Sequence, residues 1–82
     1  MADIVMYGAD WCGDCHRARR FLDRRGIAYR WIDVEHDPAM AEEARRIGGR
    51  SNIPVMVFPD GSVLVEPSDA ELEAKVGVAS AG

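Results

Sequence analysis

An apolar run, Ile4-Val5-Met6-Tyr7, stops at Gly8, and shortly beyond it Cys12 and Cys15 open an amphipathic stretch. This order constrains the fold more than any other feature of the chain. It sets a Cys-x-x-Cys where a buried strand hands over to a helix, the usual place for chemistry in an α/β sheet. The loop between the cysteines is too short for a crosslink to remove much entropy from the unfolded chain. A chemical role therefore fits the pair better than an architectural one.

The remaining sequence completes an alternating pattern. Cys15, Ala18, Phe21 and Leu22 share one helical face, Arg17, Arg20 and Arg24 the other, and Gly26 suits a left-handed stop. Tyr29 to Val34 is rich in aromatic and β-branched residues and reads as a second strand. Asp37-Pro38 offers an N-cap followed by proline at the first helical position. Met40, Ala44 and Ile47 then line one face, and Gly48-Gly49 ends the helix. Val55 to Phe58 and Val63 to Val65 flank the turn Pro59-Asp60-Gly61-Ser62, which predicts a hairpin. Ser68-Asp69-Ala70-Glu71 is a capping box opening a last helix, with Leu72, Val76 and Ala79 inward. The order β-α-β-α-β-β-α predicts one α/β domain over 1–82, a four-stranded mixed sheet flanked by three helices. Its first half is a right-handed parallel βαβ unit.

Composition narrows the function. The chain is 48% hydrophobic, too apolar for a disordered segment, and its net charge of −4 argues against a general nucleic-acid binder. No run approaches the roughly 18 apolar residues of a membrane span. Without a basic, then apolar, start resembling a signal peptide, the expected location is the reducing cytoplasm. There a Cys-x-x-Cys is more often catalytic or metal-binding than a standing crosslink.

At the start of a helix Cys12 meets unpaired backbone N–H groups and the positive end of the macrodipole, and both favour thiolate over thiol. Cys15, one turn along, lies on the same face but deeper. That geometry suits a division of labour in which Cys12 attacks a disulfide and Cys15 resolves the mixed disulfide. Asp14 opposes the dipole, because a carboxylate disfavours a second negative charge beside it, so Asp14→Asn should make the pair more oxidising. Protonated His16 would offset Asp14, but a partly exposed helix position is the better account of it.

Three other functions compete. Cys12-Gly-Asp-Cys15-His16 matches the c-type haem attachment signature, but that reading needs export and an axial ligand such as Met40 or Met56. The cysteines with His16 or His36 could help bind zinc or an iron–sulfur cluster, for which a bridged dimer would have to complete the ligands. A non-catalytic binding module would tolerate Cys12→Ser.

Trp11-Cys12-Gly13-Asp14-Cys15, the Ile53-Pro54 step and Pro59-Asp60-Gly61-Ser62 together resemble the thioredoxin/glutaredoxin superfamily. Ile27-Ala28-Tyr29, Asp33-Val34-Glu35-His36 and Pro67-Ser68 are similar to mycoredoxins, its glutaredoxin-like members in actinobacteria, over nearly the whole chain. The resemblance implies a thioredoxin-like (glutaredoxin) fold and a thiol–disulfide oxidoreductase with Cys12 as nucleophile and Cys15 as its partner. It implies a cis bond before Pro54, exposing the Ile53 backbone to a bound thiol or peptide. Trp11, Gly13 and Asp14 would then complete the thiol-binding surface, with Arg50 facing an anionic group and Ser68 and Asp69 contacting the thiol. The resemblance also implies no tightly bound cofactor and no metal. Mycothiol or glutathione would act as co-substrate, or a thioredoxin-reductase-type flavoenzyme as electron donor, with disulfide-containing proteins as substrates of a monomer.

The chain departs from these families in specific places. Gly13-Asp14 stands where glutaredoxins have Pro-Tyr, and Met6 where thioredoxins bury an acid. Glu66-Pro67 stands where glutathione-using members carry Gly-Gly. Tyr7 and Trp11 are expected to form an apolar platform around Cys12. Arg17, Arg19, Arg20, Arg24 and Arg25 are expected to form a solvated helix face able to steer an acidic reductase.

Overall fold

A computed structural model of the chain describes residues 3–77. Its strands are β1 (Ile4–Gly8), β2 (Tyr29–Asp33), β3 (Val55–Val57) and β4 (Val63–Val65), and its main helices α1 (Gly13–Arg24) and α2 (Pro38–Gly48). A short helix α3 (Asp69–Leu72) runs on into a wider helical turn over Glu73–Gly77. The element order is the expected one, and β2 and β3 each end one residue earlier than the side-chain pattern suggests. Ala79 lies outside the described residues.

The four strands form one sheet in the order β2-β1-β3-β4, with β1 parallel to β2 and the other pairs antiparallel. Period-two alternation divides β1 between two cores. Ile4 and Met6 pack with Ala18, Phe21, Leu22, Met56, Leu72 and Val76, beneath α1 and the last helix. Val5 and Tyr7 face the other way, with Val55 and Ile32, onto Met40, Ala44 and Ile47 of α2. Chemistry at the end of β1 thus rests on a strand buried from both sides.

Local chemistry fixes the helix ends. The Asp37 carboxylate accepts from the Met40 N–H at 3.3 Å, with Pro38 following the cap. Ser68 and Glu71 close a reciprocal capping box. Beyond α1, Gly26 adopts φ 67°, the left-handed backbone that lets the chain turn back.

Arg17, Arg19 and Arg25 depart from the expected solvated face. Arg17 donates to Asp69 at 2.6 Å and to the Pro67 carbonyl at 2.8 Å, tying α1 to the start of α3. Arg19 stacks 4.3 Å above the Trp31 ring and donates to the Tyr29 hydroxyl, while Arg25 pairs with Glu73 and covers Phe21. Helical periodicity places these side chains outside the core of α1. It does not reveal the neighbouring elements they bind, onto which their long apolar stems fold. Arg20 and Arg24 are exposed.

Candidate active site

The site forms where β1 ends. The Cys12 N–H donates to the Ala9 carbonyl at 3.1 Å, and His16 bonds through Nε2 to the Asp10 carbonyl, which holds the connecting turn against α1. Cys12 is the N-cap of α1, in extended conformation, and its sulfur accepts the Cys15 N–H at 3.2 Å. Both residues carry free thiols, Cys12 at 7% exposure and Cys15 at 0%. The Cys12 sulfur lies 4.0 Å from the Ile53 carbonyl, and the Ile53–Pro54 peptide bond is cis.

Burial pushes the Cys15 thiol from its ordinary 9.0 up to about 12, helped by its hydrogen bond and charge coupling to Cys12 and by Asp14. A hydrogen bond with the Ala9 backbone pulls the other way. Cys15 therefore holds its proton at neutral pH. Among the described residues no charged group is buried, and Met6, at the thioredoxin acid position, is an apolar core residue. Asp14 is exposed, 3.7 Å from Arg17, so its field at the cysteines is partly compensated.

A groove of about 390 Å³ opens over Cys12, lined by Trp11, Gly13, Asp14, Ser51, Asn52, Ile53 and Glu66. Four residues expected at a thiol-binding surface, Trp11, Gly13, Asp14 and Ile53, thus meet Cys12 there. Trp11 is 68% exposed, with its Nε1–H donating to Glu35 at 2.6 Å. Pro54 is fully buried behind Ile53. Arg50 lines a neighbouring cavity of about 260 Å³, which shares Ser51, Asn52 and Ile53 with the groove. Ser68 is occupied as a cap and Asp69 by Arg17.

The expected aromatic platform needs correcting. Tyr7 points to the α2 side of the sheet, and Trp31 stands by the cysteines instead, packed on Ala9, Cys12 and Cys15. Gly8 makes this approach possible, since a Cβ there would sit 2.7 Å from both the Cys15 sulfur and the Trp31 ring. A glycine ending an apolar run was the available signal. Ser51 and Asn52 carried no local signal, and Glu66 was marked only by standing where glutathione-using members carry glycine. They reach the groove because the loop before β3 and the end of β4 meet, where the Glu66 N–H donates to the Pro54 carbonyl at 2.9 Å.

The histidines point elsewhere. His36 bonds Asp33 through Nδ1 at 2.9 Å, and that carboxylate raises its pKa. Among the described residues, no group of three or more His, Cys, Asp or Glu is placed to hold a metal ion, and no helix is long and apolar enough to cross a membrane.

Comparison with known proteins agrees with this geometry. Residues 4–64 match the family model for glutaredoxin. A Mycobacterium tuberculosis protein provisionally named a glutaredoxin is 40% identical over 76 residues, covering 92% of this chain and 90% of that one. The crystal structure of an Archaeoglobus fulgidus glutaredoxin superposes with a TM-score of 0.78 at 28% identity, over 90% of this chain and 85% of that one. The Escherichia coli glutaredoxin-like NrdH-redoxin, described as having a thioredoxin-like activity profile, gives 0.69 at 30% identity, over 78% and 82%. The chain thus has a thioredoxin-like fold and belongs to the glutaredoxin family of thiol–disulfide oxidoreductases.

Proposed function

We propose that this chain reduces mixed disulfides and protein disulfides in a reducing cytoplasm, as a monomer, with Cys12 as the nucleophile. One observation carries the reading. Of two neighbouring thiols, Cys12 caps a helix, lines a groove and accepts an N–H, while Cys15 is fully buried and holds its proton. The Cys12 thiolate attacks one sulfur of a disulfide, a Cys12–substrate disulfide forms, and the other half departs as thiolate. A low-molecular-weight thiol can then attack the substrate sulfur and restore Cys12. Alternatively Cys15 attacks the Cys12 sulfur, its proton passing to the departing thiolate, and an internal disulfide remains. Two electrons from a thiol or a flavoenzyme reopen that bond. Ile53, on its cis peptide, presents backbone to the bound partner, and Trp11 and Gly13 flank it.

The thiol is mycothiol or glutathione on the family likeness. A second reading, a thioredoxin-like donor fed directly by thioredoxin reductase, is favoured by Trp11-Cys12-Gly13 and by the likeness to NrdH-redoxin. Consumption of NADPH with a mixed-disulfide substrate separates the two. Turnover with mycothiol or glutathione and the matching reductase that survives Cys15→Ser supports the first. Turnover with thioredoxin reductase alone, abolished by Cys15→Ser, supports the second. Silence with every donor contradicts both and leaves a metal-binding role for the cysteines.

A further inference from the structure

The groove over Cys12 carries two formal charges, Asp14 and Glu66, and both are negative. They are not equivalent. Asp14 lies 3.7 Å from the Arg17 guanidinium, whereas the Glu66 carboxylate accepts from the neutral Asn52 amide at 2.7 Å and pairs with no cation among the described residues. Arg50 faces the adjoining cavity instead.

Glu66 is also held in place at a conformational cost. It is the one non-glycine residue with positive φ among those described, at 50°. A residue with a Cβ stays in that region only where its surroundings over-determine it. Here the backbone bond to Pro54 and the side-chain bond to Asn52 do so. The result is an uncompensated negative charge fixed on the wall facing the nucleophile.

We infer that Glu66 is a specificity-determining residue, biasing this groove towards thiols whose groups near the sulfur are uncharged or cationic and against carboxylate-bearing thiols. The inference rests on the groove being the site of disulfide exchange, and it deepens that reading by naming a substrate class. An anionic substituent brought beside Cys12 meets Glu66 within the roughly 10 Å over which charges act at 0.1 M salt. A hydroxyl or amide meets no such barrier, and an ammonium group is attracted.

Three small symmetric disulfides test it: cystamine, bis(2-hydroxyethyl) disulfide and dithiodiglycolate, which are dicationic, neutral and dianionic. Reduced protein is mixed with each at low ionic strength, and the rate at which reduced protein is consumed, as adduct or as the internal Cys12–Cys15 disulfide, is followed by mass. Comparing wild type with Glu66→Gln for each compound cancels its intrinsic reactivity, and the neutral compound is the reference. The dianion-to-cation rate ratio should rise about threefold to tenfold in Glu66→Gln and further in Glu66→Lys, and 0.5 M salt should shrink the change. A ratio that is the same in all three proteins, or a uniform change for all three compounds, overturns the inference. Wild-type protein inert towards every compound contradicts disulfide exchange itself.

Discussion

The backbone N–H of Cys15 donates to the Cys12 sulfur at 3.2 Å, so one residue both stabilises charge on the nucleophile and supplies the second thiol. The bond follows from the helix start. An N-cap side chain accepts from an N–H two or three positions on, and Cys-x-x-Cys gives that acceptor and that donor to two sulfur-bearing residues. Burial above all, with this hydrogen bond adding to it, raises the proton affinity of Cys15 and keeps the second thiol neutral.

The buried thiol makes stability depend on alkaline pH. In the unfolded chain Cys15 ionises near 9.0, whereas in the fold burial holds the proton until about 12. Between these values the unfolded state binds fewer protons, so this contribution to stability falls as pH rises. Urea midpoints of reduced protein from pH 8 to 10.5 should therefore fall more steeply for wild type than for Cys15→Ala. Parallel curves would show that Cys15 ionises alike in both states.

Arg17 joins α1 to the last helix through Asp69 and the Pro67 carbonyl. The side chain is 32% exposed, so the pair is screened, and Arg17→Ala should cost about 1 kcal/mol. Arg20→Ala, at an exposed position, should stay within about 0.5 kcal/mol. Equal losses for the two in denaturant titrations would refute the clamp.

Gly8 is required by close approach. Its replacement by alanine would place a Cβ 2.7 Å from the Cys15 sulfur and the Trp31 ring, forcing one of them to move. Gly8→Ala should destabilise the fold by about 1–3 kcal/mol and slow disulfide exchange. Unchanged stability and an unchanged exchange rate together would contradict this packing.

The element order was legible because its signals are local. Apolar periodicity marked α1 and α2, while Asp37 and Ser68 announced their helices by side chains bonding within one turn. The placement of Cys12 and Cys15 at the start of α1 was legible for the same reason, from spacing and helix periodicity. What escaped depends on distance or parity. The partners of Arg17 lie 50 and 52 residues away, beyond any periodicity argument. Trp31 reaches the cysteines through the parallel register that sets it beside Met6. Tyr7 was open to correction from the sequence, because if Met6 and Gly8 face α1, alternation sends Tyr7 to the other side. The left-handed backbone of Glu66 arises from the meeting of two loops, and the one hint of it was the glycine that glutathione-using members carry there.

The most direct test of the account is where a substrate becomes attached. Reduced Cys15→Ser and Cys12→Ser proteins would each be exposed to a low-molecular-weight disulfide and weighed by mass spectrometry. The account predicts one stable adduct on Cys15→Ser, mapped to Cys12, and little on Cys12→Ser, whose remaining thiol is buried and protonated. Faster adduct formation on Cys12→Ser, or none on either variant, would contradict Cys12 as the nucleophile.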